Sequence, residues 1–279
     1  MNKAKDKLFP EQLGIARNDE ELALLQDQFP QYDPGYLTQS TATSRTKLKE
    51  WMECLWTQYG PYADTHFLPE FKRQFAQRSW ELYLGTTLLS RGFKLGDRND
   101  AGPDFEVRDQ NGRRLSWIEA VATGRGTGND RVPELSYGVV MDVPVEQMRL
   151  RISNAFAEKF YQYSHELEKK IVKENEPYII AINRSNLDYL DPLIPLAFKV
   201  LFGVGDLTMR IMVNGIRQEN PESSWTASLK VNKKNGADVP MLFFCDQKYS
   251  GISAMIYATD SILNSPQKPD EMGENFSII

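Results

Sequence analysis

Apolar residues recur at steps of three and four in several parts of the chain, a spacing that places them on one face of an α-helix. The clearest such segment spans residues 145–173. Its apolar positions are Val145, Met148, Ile152, Phe156, Phe160, Tyr163, Leu167 and Ile171. Further helices are expected at residues 18–29, 44–59 and 69–90, and one more is expected to be interrupted near Pro195.

Short runs rich in β-branched and aromatic residues alternate with these helices and predict strands. These runs cover residues 93–97, 177–185, 241–246 and 252–260. Residues 101–124 read AGPDFEVRDQNGRRLSWIEAVATG, and the pair Asn111-Gly112 predicts a β-hairpin with a two-residue type I′ turn. Helices and strands mixed in this order predict an α/β fold in which helices cover a central sheet.

The predicted hairpin brings two acidic residues together. With Asn111 and Gly112 as the loop, Glu106 faces Trp117 and Asp104 faces Glu119. Directly opposed side chains have Cβ atoms roughly 4.5–5.5 Å apart, and like charges so placed repel. A shared divalent cation would offset the repulsion, since Mg²⁺ prefers carboxylate and carbonyl oxygen. The alternatives are that one carboxylate is protonated, or that the register differs and both carboxylates are solvated.

Composition narrows the kinds of site that the chain can build. It has 279 residues, of which 41% are hydrophobic, so it can bury a sizeable core. The net charge of −5 means that any binding to nucleic acid must use a local patch. His66 and His165 are its only histidines, which leaves almost no material for a Ser-His-Asp triad. Cys54 and Cys245 lack the spacing of a thiolate zinc site and are typical of a reducing compartment.

The chain shows no sequence signal for a membrane. No stretch approaches the ~20 apolar residues that a spanning helix needs. The first residues, MNKAKDKLFPEQ, carry charge but no apolar segment of a secretory signal. We therefore expect a cytoplasmic protein that does not act at a membrane.

Three motifs carry a resemblance to a known family. They are Trp80-Glu81 on a helix, then Gly102-Pro103-Asp104-Phe105, then Trp117-Ile118-Glu119-Ala120-Val121. Together they resemble the core of the PD-(D/E)XK nuclease superfamily over roughly residues 70–185. The resemblance implies a restriction-endonuclease-like α/β fold, with a central mixed sheet flanked by helices. We expect this domain to span residues 64–279, preceded by an N-terminal arm and helical extension at residues 1–63.

The resemblance also implies a metal site. It makes Asp104 and Glu119 catalytic residues and ligands of Mg²⁺ or Mn²⁺, with the backbone carbonyl of Ala120 as a third ligand. Glu81 would be an accessory ligand or a water-mediated contact. The motif's lysine should stand at position 121, where this chain has Val121.

A lysine on a neighbouring element could replace the missing one. Lys159, on the predicted helix 145–173, is the candidate for this catalytic role, and Lys94 and Arg125 are weaker ones. The alternative is that the stem of Lys159 covers the helix face while its ammonium reaches water.

The expected function is therefore metal-dependent hydrolysis of phosphodiester bonds in nucleic acid, with DNA as the expected substrate and RNA left open. The alternative is a catalytically inactive module of the same fold that binds nucleic acid or a protein partner. The run GENFSII at residues 273–279 reads as an edge strand that could pair with another chain, as in a homodimer; the alternative is that the natural chain continues past Ile279.

Overall fold

The computed structural model describes residues 6–10, 13–96, 102–136, 138–192, 194–213, 216–217, 223–265, 267–268 and 270–279. The helices are α1 (Asp19–Gln28), α2 (Pro34–Thr41), α3 (Thr46–Tyr59), α4 (Phe67–Phe71), α5 (Phe75–Ser90), α6 (Val145–Glu168) and α7 (Leu196–Phe202). The strands are β1 (Lys94–Leu95), β2 (Phe105–Arg108), β3 (Arg114–Ala122), β4 (Tyr178–Asn183), β5 (Val204–Met209), β6 (Met212–Val213), β7 (Ile216–Arg217), β8 (Ser223–Ala227), β9 (Lys230–Asn232), β10 (Asp238–Pro240), β11 (Ala254–Ala258) and β12 (Phe276–Ile278).

A six-stranded sheet has the order β1-β2-β3-β4-β11-β12. The hairpin β2–β3 is antiparallel, whereas β3, β4 and β11 run parallel to one another. The outer strands β1 and β12 are both antiparallel to their neighbours. Mixed strand directions and helices in alternation confirm the predicted α/β class.

The chain forms two compact units. Unit 1 comprises Met1–Ala122, Gln162–Asn186 and Ile252–Ile279, and unit 2 comprises Thr123–Tyr161 and Leu187–Gly251. The six-stranded sheet lies entirely in unit 1. The boundary expected between residues 63 and 64 falls inside unit 1 and stays a prediction.

The core of unit 1 lies between one face of the sheet and helices α3 and α5. Phe105, Ile118 and Ala181 are buried on that face, and burying a large apolar side chain contributes about 1.5–3 kcal/mol. Gly85 makes the close packing possible, because a Cβ there would lie 2.6 Å from the ring of Tyr59. Helix α5 therefore packs in close contact with α3 and with this face of the sheet.

Unit 2 has a core of aromatic side chains. The rings of Phe156 and Phe243 stack with centroids 4.4 Å apart, and Tyr249 packs edge-on against Phe243 at 4.8 Å. Unit 2 also contains helix α7 and three two-stranded pairings, β5–β8, β6–β7 and β9–β10.

Several predicted elements are confirmed and others are wrong. Helices α1, α3 and α6 and strands β4 and β11 lie where they were expected. The helix predicted over residues 69–90 is two helices, because Gln74, with φ −135° and ψ 55°, has a non-helical backbone that separates α4 from α5. Residues 241–246 form a turn, in which Leu242 has a φ of 68°. Their apolar character reflects burial of Met241 and Phe243 and not strand pairing.

No helix within the described ranges is both long enough and apolar enough to cross a membrane.

Candidate functional site

The hairpin β2–β3 has the expected register near the two acidic residues but a different turn. Asp109 N–H donates to the Arg113 carbonyl at 2.9 Å, so the loop has three residues and the predicted two-residue turn is wrong. Gly112 alone in the loop has a positive φ, of 81°. A register shift after Val107 leaves Leu115 as an extra residue, and it restores the pairing of Glu106 with Trp117. The longer loop and the bulge therefore offset each other before the hairpin reaches Asp104.

Asp104 and Glu119 are joined through reciprocal hydrogen bonds. The backbone N–H of Asp104 donates to Glu119 Oε2 at 3.2 Å, and the N–H of Ala120 donates to Asp104 Oδ2 at 2.8 Å. Each carboxylate thus binds the main chain of the other acid's segment: Asp104 binds β3, and Glu119 binds the residue just before β2. Glu119 is only 3% exposed, and Asp104 is half-buried. The two acids are brought together as the sequence predicted.

Gly102 sets the path of the chain into Asp104. Its φ of 116° lies in the left-handed region, and a Cβ there would meet the Ile171 side chain at 3.0 Å. Only glycine adopts this conformation without strain. Glycine at position 102 is therefore explained by backbone conformation as well as by the motif.

A third acid, Glu166, reaches the same face of the sheet through Tyr178. In β4, Tyr178 lies opposite Trp117 and Ile180 lies opposite Glu119, and alternate residues of a strand share a face. The Tyr178 hydroxyl donates to Glu166 Oε2 at 3.1 Å. Burial raises the pKa of Tyr178, and the negative charges of Glu119, Glu166 and Asp104 raise it further. The phenol is therefore a neutral hydrogen-bond donor among carboxylates.

Glu166 was not predicted from the sequence. It lies on α6 between two residues of the apolar stripe, Tyr163 and Leu167, and is 4% exposed. The sequence signal that could have identified Glu166 is its position three residues after Tyr163 and next to Leu167, on the apolar face of the helix. The ring of Tyr163 packs on that of Tyr178 with centroids 4.7 Å apart, which holds this part of α6 against β4.

Glu81 is completely buried in a network of charged and polar groups. Tyr59 Oη donates to its Oε1 at 2.8 Å, and Arg78 Nη1 donates to its Oε2 at 2.6 Å. Arg78 also binds Asp64 at 3.0 Å and pairs with Glu70. Burial alone would lower the pKa of Arg78, but attraction to Glu81 and the other two acids raises it above its ordinary value. The accessory ligand role of Glu81 stays a prediction.

The backbone of β3 after Ile118 is bound by side chains. The ladder between β2 and β3 ends at Phe105 and Ile118. Beyond it, Gln77 Nε2 donates to the Ala120 carbonyl at 3.1 Å, and Gln77 Oε1 accepts from the Ala122 N–H at 2.7 Å. The predicted carbonyl ligand therefore lies next to an amide from α5 that the sequence did not single out.

The basic candidates lie in three different parts of the chain: Lys94 on β1, Arg125 in the loop after β3, and Lys159 on α6. Lys159 is half-buried on α6, in its unit 2 part, and its catalytic role stays a prediction. Lys94 donates to the Gln110 carbonyl at 2.7 Å, at the turn end of the hairpin, which is six residues from Asp104. Arg125 binds the Pro133 carbonyl at 2.6 Å and pairs with Asp188, both in unit 2. Val121 occupies the motif's lysine position on β3.

The donor chemistry of the hairpin fits a hard divalent cation. Over the described part of the chain, no group of three or more His, Cys, Asp and Glu side chains is arranged to hold a metal ion. Asp104, Glu119 and the Ala120 carbonyl contain only two such side chains, and all three supply the oxygen that Mg²⁺ prefers. Water and substrate would complete the coordination.

Comparisons with known proteins returned no match: no protein-family model, no curated protein and no solved structure is significantly similar to this chain.

Proposed function

We propose that this protein is a metal-dependent nuclease of the PD-(D/E)XK type that hydrolyses phosphodiester bonds in DNA. One observation carries the proposal. Asp104, just before β2, accepts from the Ala120 N–H of β3, and Glu119 of β3 accepts from the Asp104 N–H, so two acids are held together where a cation would relieve their repulsion. The order α5, β1, β2–β3 hairpin, α6, β4 also agrees with a restriction-endonuclease-like core.

Each residue of the proposed site has a separate role. Asp104, Glu119 and the Ala120 carbonyl would hold Mg²⁺ or Mn²⁺, which when bound supplies charge stabilisation at the phosphate and an activated water. Lys159 is proposed to place a positive charge near the attacking water, where preorganised charge contributes several kcal/mol. The hydroxyl of Tyr178 donates a hydrogen bond to Glu166 and so ties this third carboxylate, which belongs to α6, to strand β4.

Substitution of Asp104 tests the proposal. An asparagine at 104 can still accept from the Ala120 N–H, so Asp104→Asn should fold at least as stably as the wild type without metal. Mn²⁺ should raise the melting temperature of the wild type, because a ligand that binds the native state stabilises it. Asp104→Asn and Glu119→Gln should both lose this rise and lose cleavage of plasmid DNA.

Two further variants complete the experiment. Lys159→Ala should keep the metal-dependent rise and lose only cleavage, because a lysine does not bind the ion. Glu134→Gln removes a surface carboxylate that pairs with Arg131, and it should change neither property. A wild type with no response to Mn²⁺ and no cleavage of DNA or RNA would overturn the proposal. A thermal response without cleavage would favour an inactive binding module.

A further inference from the structure

On the β2 side of β3, beyond Ile118, side chains make the hydrogen bonds that a neighbouring strand would otherwise make. Residues of a strand present their N–H and C=O alternately to the two sides. The β4 side of β3 is paired as far as Ala122. On the β2 side the ladder stops at Ile118, four residues earlier, so the peptide groups of Ala120 and Ala122 need other partners.

Gln77 supplies those partners with a single carboxamide. An amide side chain carries the same donor and acceptor pair as a peptide group. Its Nε2 donates to the Ala120 carbonyl at 3.1 Å and its Oε1 accepts from the Ala122 N–H at 2.7 Å, so it takes the place of one residue of a neighbouring strand. Asp104 Oδ2 accepts from the Ala120 N–H at 2.8 Å. The peptide groups on either side of Ala120 are therefore held from α5 and from Asp104.

We infer that Gln77 is a positioning residue for the metal site, holding the Ala120 carbonyl in place while Asp104 holds the adjacent N–H. This inference rests on the proposed function, in which that carbonyl is a ligand. A carbonyl oxygen has two lone pairs, so accepting from Gln77 leaves one for the ion. Gln77 itself does not ligate, because it presents its Nε2 donor to the carbonyl.

The position of Gln77 suits this role. It lies in the first turn of α5, and the same helix is fixed to the sheet by Trp80, whose Nε1 donates to the Ala181 carbonyl at 3.1 Å. A carboxamide on so restrained a helix has little freedom to follow a moving strand. Outer-shell groups that orient ligands are typically worth about 10–100-fold in metal affinity.

The test uses Gln77→Met, which keeps the length of the side chain and removes both hydrogen bonds. In metal-free protein, amide hydrogen exchange in a peptide covering residues 117–124 should become faster by about 10-fold or more, because Ala122 loses its acceptor. In a Mn²⁺ titration followed by thermal shift, the dissociation constant should rise by about 10–100-fold.

Thr86→Val is the matched control. It removes a buried hydrogen bond on the same helix, from Thr86 Oγ1 to the Leu82 carbonyl, without a bond to β3. It should lower the melting temperature and leave both the exchange of residues 117–124 and the Mn²⁺ affinity unchanged.

The outcomes separate the two proposals. If the wild type binds Mn²⁺ and Gln77→Met binds it equally well, the positioning role is wrong while the nuclease proposal stands. Unchanged exchange at residues 117–124 in Gln77→Met would also overturn it. If the wild type binds no Mn²⁺, the proposed function fails and the positioning role fails with it. Equal loss of Mn²⁺ affinity in Thr86→Val would mean that general destabilisation, not loss of the Gln77 hydrogen bond to the Ala120 carbonyl, lowers the affinity.

Discussion

Arg78 is a buried guanidinium that holds several carboxylates in the core of unit 1. It binds Glu81 at 2.6 Å and Asp64 at 3.0 Å, and it pairs with Glu70. Glu81 is fully buried, so its charge is tolerated only while it is paired and hydrogen-bonded. This single residue therefore determines whether a carboxylate can remain in the apolar interior beside Tyr59.

Loss of Arg78 should destabilise unit 1 strongly. Arg78→Met leaves Glu81 without its cation, and breaking a buried pair on one side costs about 3–5 kcal/mol. The double variant Arg78→Met/Glu81→Gln should recover part of this loss, because the fully buried Glu81 side chain no longer carries a charge. Asp64 and Glu70 still lose Arg78, so the recovery should be incomplete. Urea denaturation would measure both. Equal destabilisation of the single and double variants would show that packing of the Arg78 side chain, not its charge, stabilises the core.

At this scale, the sequence predicted the residues that local geometry brings together. The pairing of Asp104 with Glu119 was predicted from one hairpin, although the predicted turn is wrong and the register is reached through a longer loop and a bulge that offset each other. Glu166 and Gln77 come from helices that are remote in the chain. Only the packing of α6 and α5 on the sheet places them there, and that packing depends on the whole core.

The strand β3 shows how charged side chains join neighbouring elements. Arg114 binds Glu106 of β2 at 2.5 Å and Glu176, just before β4, at 2.7 Å. Its guanidinium also lies 4.3 Å from the ring centre of Trp117. Burial raises the pKa of Glu106 and of Glu176, but hydrogen bonds that include those from Arg114 outweigh it and hold both pKa values below the ordinary 4.5.

This linkage predicts how acid affects the sheet. A carboxyl group whose pKa is lowered by folding adds stability above its unfolded pKa and loses that stability as the pH falls through its folded pKa. Arg114→Gln should therefore lower the melting temperature at pH 7. The difference from wild type should shrink as the pH falls below 4.5.

Arg131→Gln is the control for this experiment, since it removes an exposed arginine that pairs with Glu134. It should change the melting temperature little at either pH. A deficit of Arg114→Gln that stays constant down to pH 3 would assign the effect to lost contact with Trp117.

Elements with regular periodicity were predictable, and irregular ones were not. The helix α6 and the strand β4 were predicted correctly, because their buried residues recur with the period of a helix and form the short apolar run of a buried strand, respectively. At the break between α4 and α5 the Lys72 carbonyl accepts from the Asp33 N–H at 2.8 Å, a contact with a remote segment that local periodicity does not indicate. Strands β5 and β8 are almost wholly exposed and show no regular burial to detect.

The two units differ in how their strands are supported. In unit 1, β4 lies between two other strands, and Ile180, Ala181 and Ile182 are fully buried. In unit 2, β8 pairs with β5 in a two-stranded ladder, and all five residues of β8 are exposed. A two-stranded ladder with so little burial is marginally stable at best.

Hydrogen exchange should follow this difference across the molecule. A peptide covering residues 223–232 should exchange on the order of 100-fold faster than one covering residues 178–183, because local opening needs far less free energy than global unfolding. Mass spectrometry of the native protein would measure both, with a sample unfolded in denaturant as the reference. Similar protection of the two peptides would mean that β5–β8 is stabilised by contacts other than its own ladder.

The order of the sheet also has a consequence for biosynthesis. Strand β11 pairs with β4 in parallel, although residues 184–253 separate them along the chain. A ribosome that adds about 5–20 residues per second needs roughly 4–14 s to make that segment. During this interval the apolar strand YIIAIN has no partner on its β11 side, and such an edge is prone to pair with other chains. The nascent protein is therefore most exposed to self-association between the synthesis of β4 and that of β11.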